Sequence, residues 1–189
     1  MAVYAPSPSH PYRVAIHEAG HAVAVLNYRI GAHRNGVSIL PEGETVGRAW
    51  HRPLPETFNP EWMTKATEMT CRRRACVALA GFAAEQLAFG NRIWPVGCQQ
   101  DFDWATKLME KVAQHNALAD AWVNLLLLEA KTILALPWHW RTTKMVAEIL
   151  VQRKQLRYGQ IRRMLADARK SATFERDRPP FPPESTAKD

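Results

Sequence analysis

From Val14 to Leu26 the chain reads VAIHEAGHAVAVL, apolar or small at nearly every position. A helix with that pattern has no wet stripe and is predicted to be buried. Ser9 and Pro11 fit an N-cap and a first-turn proline, so this helix is expected to start there and to stop at Gly31. The pattern then changes. Val37-Ser38-Ile39-Leu40 has strand character, Pro41-Glu42-Gly43 reads as a turn, and Thr45 to Trp50 as a return strand. Together they predict a β-hairpin or small sheet. Residues 51–58 carry Pro53 and Pro55 and read as a loop that overhangs a cleft. Asn59-Pro60-Glu61 signals a second helix start, and this helix is expected to reach Phe89, with Gly90-Asn91 as its stop. Inside it, Val77 to Ala84 is small and apolar, which suits close approach to the first helix.

After a loop over Pro95 to Gln100, a third helix is predicted from near Asp101 to His115, with Phe102, Ala105, Leu108, Met109 and Val112 as its core face. Further helices are expected over about 117–136, 141–154 and 159–170, with Pro137 as an interruption. The fold class is therefore mainly α (α+β): a helical domain with one small β-hairpin or sheet and a C-terminal helical bundle. Residues 1–10 read as a flexible leader and 11–172 as one domain, with chemistry in 11–116 and C-terminal helices in 117–172. The Pro-rich stretch 173–189 reads as a disordered tail.

Composition narrows the class. The 189 residues carry a net charge of +7, but no nucleic-acid motif accompanies it. The basic clusters Arg72-Arg73-Arg74 and Arg153 to Arg163 lie in helical patterns, so the charge reads as a solvated surface and nucleic acid is not an expected partner. Three cysteines without a C-x-x-C pair predict no disulfide framework and a reducing compartment. No apolar run of membrane-spanning length and no secretory signal are present in these residues. A soluble, cytoplasmic protein is the expectation, with no membrane contact.

The buried first helix contains His17-Glu18-Ala19-Gly20-His21, an H-E-x-x-H motif. Residues i and i+4 share a helix face, so the two imidazoles are placed to hold one metal ion with Glu18 beside it. Zinc held by three protein ligands keeps a position open for water, and the Glu takes that water's proton. Chance alone gives such a motif in a chain of this composition with a probability of roughly 1–2%. Two His and one Glu in an apolar helix need partners or a metal in any case. The metzincin extension is absent after His21. His33, His51, His115 and His139 are single and read as surface residues. Among carboxylates, Asp101 shares a helix face with Ala105, Leu108 and Val112, the buried side, whereas Asp103 shares one with Lys107, Glu110 and Gln114. Asp101 is thus a candidate third ligand, and an N-cap is the other reading of it. Glu85 closes the buried stretch of the second helix, either as an acceptor for a ligand histidine or as a surface residue.

Four segments, in order, resemble the protease domain of the FtsH-type AAA zinc metalloproteases: HEAGHAV, VSILPEG with Gly47 after it, LAGFAAEQLAFG and GCQQDFDWATKL. AKTIL and VAEILVQRKQL are similar to the family's C-terminal helices, so the resemblance spans about residues 12–168. Ala80-Gly81-Phe82 stands where the family has Gly-Gly-Arg, and Cys98-Gln99-Gln100 where it has Ala-x-Asn. The resemblance implies a helical, zincin-like protease fold and one Zn2+ per chain. It places the family's third zinc ligand on Asp101, beside His17 and His21, with Glu18 as general base. It implies a zinc metalloendopeptidase acting on a peptide or unfolded protein. Val37, Ser38, Ile39 and Leu40 are the expected substrate-binding strand, by β-augmentation. No G-x-x-x-x-G-K-[ST] sequence occurs, so ATP-independent hydrolysis is expected, with an AAA unfoldase in trans as a candidate partner. Two other readings are a non-cleaving, zinc-containing regulatory or protein-binding module, with Trp138 and Trp140 facing a partner, and a helical protein without metal.

Overall fold

The computed structural model describes residues 6–41, 47–54, 63–90, 93, 97–113 and 115–171. In chain order the elements are α1 (Pro11–Asn27), β1 (Ala32–Ser38), β2 (Arg48–His51), α2 (Lys65–Phe89), α3 (Gln99–Ala113), α4 (Asn116–Leu134), α5 (Pro137–Arg153), β3 (Gln155–Leu156) and α6 (Tyr158–Ser171). The fold is mainly α with one small antiparallel sheet, as the periodicity predicts. Among the described residues no helix is long and apolar enough to cross a membrane.

α1 starts one residue later than Ser9 would give. The cap is His10, whose Nδ1 accepts the Tyr12 amide, and Pro11 takes the first helical position. The helix ends at Asn27, short of Gly31, and Arg29 makes the turn with φ +54°. α2 begins at Lys65, where Thr64 Oγ1 accepts the Thr67 amide; the predicted Asn59-Pro60 start lies outside the described residues. The stop at Phe89–Gly90 is where the sequence puts it. The leader is tied down over residues 6–10, because Arg13 Nη1 donates to Pro6 O (3.0 Å). Pro137 opens α5 rather than interrupting a helix, so Trp138, His139 and Trp140 are helical. His139 and Trp140 are buried, which removes His139 from the surface histidines and Trp140 from any free face. The Pro-rich tail lies outside the described residues.

The strands form the small sheet that the sequence predicts, with a third strand added. Its order is β2-β1-β3, with β1 antiparallel to both neighbours. β3 is two residues between helices, too short for any periodicity to show. Gly36, with φ +77°, lets it dock: a Cβ there would collide with the Leu156 carbonyl. The predicted substrate strand is thereby occupied. Val37 pairs with Ala49 and Leu156, Ser38 with Arg48 and Gln155, and the Ile39 amide donates to Lys154 O. Leu40 is outside the strand, exposed, with its amide on Ser38 Oγ. Among the described residues Val37 and Ser38 are therefore paired on both sides, and the outer strand on the side away from β3 is β2.

Two apolar clusters hold the elements. One surrounds α1 and takes in α2, β1, α5, β3 and α6. The other lies between α2, α3 and α4. α1 and α2 approach closely at Gly20, where a Cβ would stand 2.5 Å from Ala80 O and 2.6 Å from Ala84 Cβ. That contact brings the first helix's polar residues against α2 and the start of α3.

Candidate metal centre

α1 and α2 each carry a ridge with a spacing of four: Arg13, His17 and His21 on one, Val77, Gly81 and Glu85 on the other. Such residues stack on one helix face, and here the two faces meet. His21 Nδ1 donates to Val77 O (2.7 Å), and His17 Nδ1 donates to Glu85 Oε1 (2.8 Å). Arg13 Nε holds the other carboxylate oxygen, Glu85 Oε2 (2.5 Å). Gly81 sits between the rings. A Cβ there would be 2.5 Å from both His17 Cε1 and His21 Nε2, so only glycine leaves room for the imidazoles.

A carbonyl and a carboxylate only accept, so the neutral rings carry their protons on Nδ1 and present bare lone pairs at Nε2. Both lone pairs converge with a third donor. His17 Nε2 lies 2.9 Å from His21 Nε2 and 3.1 Å from Asp101 Oδ2, and His21 Nε2 lies 3.3 Å from Asp101 Oδ2. Asp101 is in the first turn of α3, and its side chain is turned into the cluster, not used as a cap. Three electron-rich atoms at these separations repel unless positive charge lies among them. Donors about 2.0–2.1 Å from one tetrahedral ion stand about 3.3 Å apart, so the triangle and its N,N,O chemistry fit zinc.

The electrostatics say the same. Burial alone would lower His17, but its hydrogen bonds to Asp101, Cys98 and Glu85 overturn that and hold it well above its ordinary value. Burial also opposes the charge on His21, and Asp101 raises it nonetheless. Asp101 is held well below the usual carboxylate range by His21 and His17, against the effect of its burial. A raised histidine stabilises the fold fully below its ordinary value and loses that contribution as pH rises through the raised one. A metal ion held there would displace these protons, so its affinity is expected to grow over the same window. Protein stripped of metal is expected to melt lower at pH 8 than at pH 6, while the melting increment on adding zinc is larger at pH 8. Thermal unfolding with and without zinc at the two pH values checks both signs.

A cavity of about 660 Å³ opens onto the cluster. Glu18 lines it beside the three converging donors and is 6% exposed. Burial pushes its carboxyl up, and the two histidines only partly offset this. One wall is β2, with Ala49 and His51 on it, and Gly47 approaches so closely that a Cβ would lie 2.8 Å from Glu18 Oε1. Pro8 and Ser9 of the leader form part of another wall.

The profile of peptidase family M41 matches residues 6–173. The chain belongs to peptidase family M41. Similar proteins include an ATP-dependent zinc metalloprotease FtsH of Acholeplasma laidlawii, 32% identical over 114 residues, which are 60% of this chain and 16% of that protein. The chloroplastic/mitochondrial ATP-dependent zinc metalloprotease FTSH 9 of Oryza sativa is 31% identical over 57% of this chain and 13% of its own length. The human ATP-dependent zinc metalloprotease YME1L1 is 32% identical over 52% of this chain and 12% of its own. The chain thus matches less than a fifth of the length of these relatives.

In this M41 domain, sequence reasoning put His17, Glu18, His21, Asp101 and Glu85 forward, and the fold brings all five together. It did not single out Arg13, Gly81, Cys98 or His51. Arg13 and Gly81 carry a readable signal, the fourfold spacing with His17 and with Glu85. Cys98 stands three residues before Asp101, one turn away on the approach to α3. His51 is set by the register of β2, which the sequence does not specify.

Proposed function

We propose that this chain is a zinc-dependent M41 endopeptidase domain that hydrolyses peptide bonds in flexible or unfolded polypeptides. The observation that carries the reading is the convergence of His17 Nε2, His21 Nε2 and Asp101 Oδ2 within 3.3 Å on a cavity that also exposes Glu18. Those three side chains hold the zinc, and Glu85 and Val77 O fix the ring orientations. When bound, zinc supplies a Lewis acid that lowers the pKa of water toward neutrality and polarises a scissile carbonyl. Glu18 takes the proton of the attacking water and returns it to the leaving amine. Its burial strengthens this role, since a carboxylate raised by desolvation is a better base.

The substrate lies extended along β2. In the order β2-β1-β3 this is an outer strand, and Ala49 and His51 on it line the cavity. An extended peptide adds to such an edge through main-chain hydrogen bonds, with side chains alternating into the cavity. Folded proteins do not offer an extended segment, so the substrates are already unfolded or are delivered by a separate AAA unfoldase. Hydrolysis itself draws on no nucleotide.

Zinc-loaded protein is expected to cut an unfolded, fluorescently labelled casein without ATP, to stop on chelation and to resume on zinc addition. Zinc-loaded protein that cuts nothing across a broad panel of unfolded substrates would overturn the reading in favour of a non-cleaving module.

A further inference from the structure

The His17 ring faces donors on both sides. On the side away from the zinc triad, its Nδ1 lies 2.8 Å from Glu85 Oε1 and 3.7 Å from Cys98 Sγ, and Cys98 Sγ lies 3.5 Å from Glu85 Oε1. Nitrogen, oxygen and sulfur thus form a second closed triangle. An ion with N and O ligands at about 2.0–2.1 Å and a thiolate at about 2.3 Å sets its donors about 3.3–3.6 Å apart, close to these edges. Glu85 and Cys98 are buried, and Arg13 Nε sits on Glu85 Oε2, so Oε1 is the oxygen that faces His17 Nδ1 and Cys98 Sγ. The thiolate makes this donor set softer than the N,N,O set on the other side of the ring, so it favours a thiophilic ion.

We propose that His17 Nδ1, Glu85 Oε1 and Cys98 Sγ form a second cation site, suited to a thiophilic divalent ion, whose occupancy excludes zinc from the first. The two sites use opposite nitrogens of one imidazole. Zinc on Nε2 requires the proton on Nδ1, where Glu85 accepts it. A cation on Nδ1 requires that proton on Nε2, where it points at His21 and Asp101 and caps the lone pair zinc needs. On binding, the Cys98 thiol proton is released to solvent and the ring proton moves from Nδ1 to Nε2. No electron changes hands. The exclusion rests on the zinc reading above; the second site itself does not. It makes the domain's zinc centre open to displacement by soft metals through a residue that stands where the resembled family has alanine.

Cadmium alone is the probe, read by the ultraviolet thiolate-to-cadmium charge-transfer absorption of the full chain after chelator treatment. Wild type is expected to develop the band with close to one equivalent of cadmium, and both Cys98→Ala and Cys98→Ser are expected to lose it while still binding zinc. Cys71 and Cys76 lie in the cluster between α2, α3 and α4, and both remain in these variants. With free zinc at about 100 times its own dissociation constant, the apparent cadmium affinity at this band is expected to fall about 100-fold. No Cys98-dependent band in wild type overturns the second site. A band that zinc leaves undiminished overturns the exclusion. Failure of the zinc reading looks different: chelated protein takes up no zinc, yet the cadmium band still forms.

Discussion

Glu18→Gln is expected to lower the rate of peptide hydrolysis by about 10²–10⁴-fold while the protein keeps its zinc. The amide has the shape of the carboxylate, so the buried pocket beside His17 and His21 is filled as before. Glu18 is not among the three convergent donors, so metal affinity rests on groups the change leaves alone. What the amide lacks is basicity. The pocket is built around that property: burial holds the carboxyl up, and Gly47 brings β2 against it without a side chain in between. Turnover of unfolded casein at saturating substrate, with zinc content measured on the same sample, checks both halves. Undiminished cleavage removes Glu18 from the mechanism, and loss of zinc along with activity makes it a structural residue of the site.

Gly81→Ala is expected to reduce zinc affinity by about 10–100-fold or more, with activity falling in step. The added methyl meets His17 Cε1 and His21 Nε2 at 2.5 Å, and neither ring is the loose end of a flexible chain, since both Nδ1 atoms are held. Either the imidazoles leave the positions that suit one ion or α1 and α2 move apart, and overpacking of this kind costs about 1–3 kcal/mol. Gly159→Ala is the control. Its Cβ meets nothing within 4 Å, and Gly159 lies inside α6, where alanine is the better helix former by about 0.5–1 kcal/mol. Thermal unfolding of the two variants should therefore move in opposite directions, while zinc affinity should fall only in Gly81→Ala. Equal zinc affinity in Gly81→Ala and wild type would contradict the close approach at this glycine.

The chemistry was more legible than the walls around it. HEAGH, the small residues of α2 and the buried face of α3 are local patterns with a period, and each puts its residue where the fold uses it. Asp101 separated from Asp103 because a helix puts residues two apart on different faces. Glu85 was left between a contact to a histidine and the surface because the sequence does not give the azimuth of α2 against α1; the hydrogen bond to His17 decides it. The strand that the sequence offers for substrate is the inner one of the sheet, for a physical reason. The stretch from Val37 has the β-branched, apolar look of a strand because Val37 and Ser38 are the buried middle of the sheet, covered by β2 on one side and by the two-residue β3 on the other. β2, with Arg48 and His51, looks less like a strand because it is an edge that faces the cavity. His51 and Cys98 enter the site through register and a loop, neither of which leaves a periodic trace. The family resemblance added the role of Asp101 but was silent on Cys98, where this chain differs.

The central claim is that one zinc ion is held by His17, His21 and Asp101. Anomalous diffraction from zinc-loaded crystals, collected on both sides of the zinc absorption edge, tests it most directly. The account predicts a single strong peak within bonding distance of His17 Nε2, His21 Nε2 and Asp101 Oδ2, with Glu18 beside it but not bound. A peak that lacks Asp101, or no peak between α1 and α3 in protein that contains zinc, would contradict it.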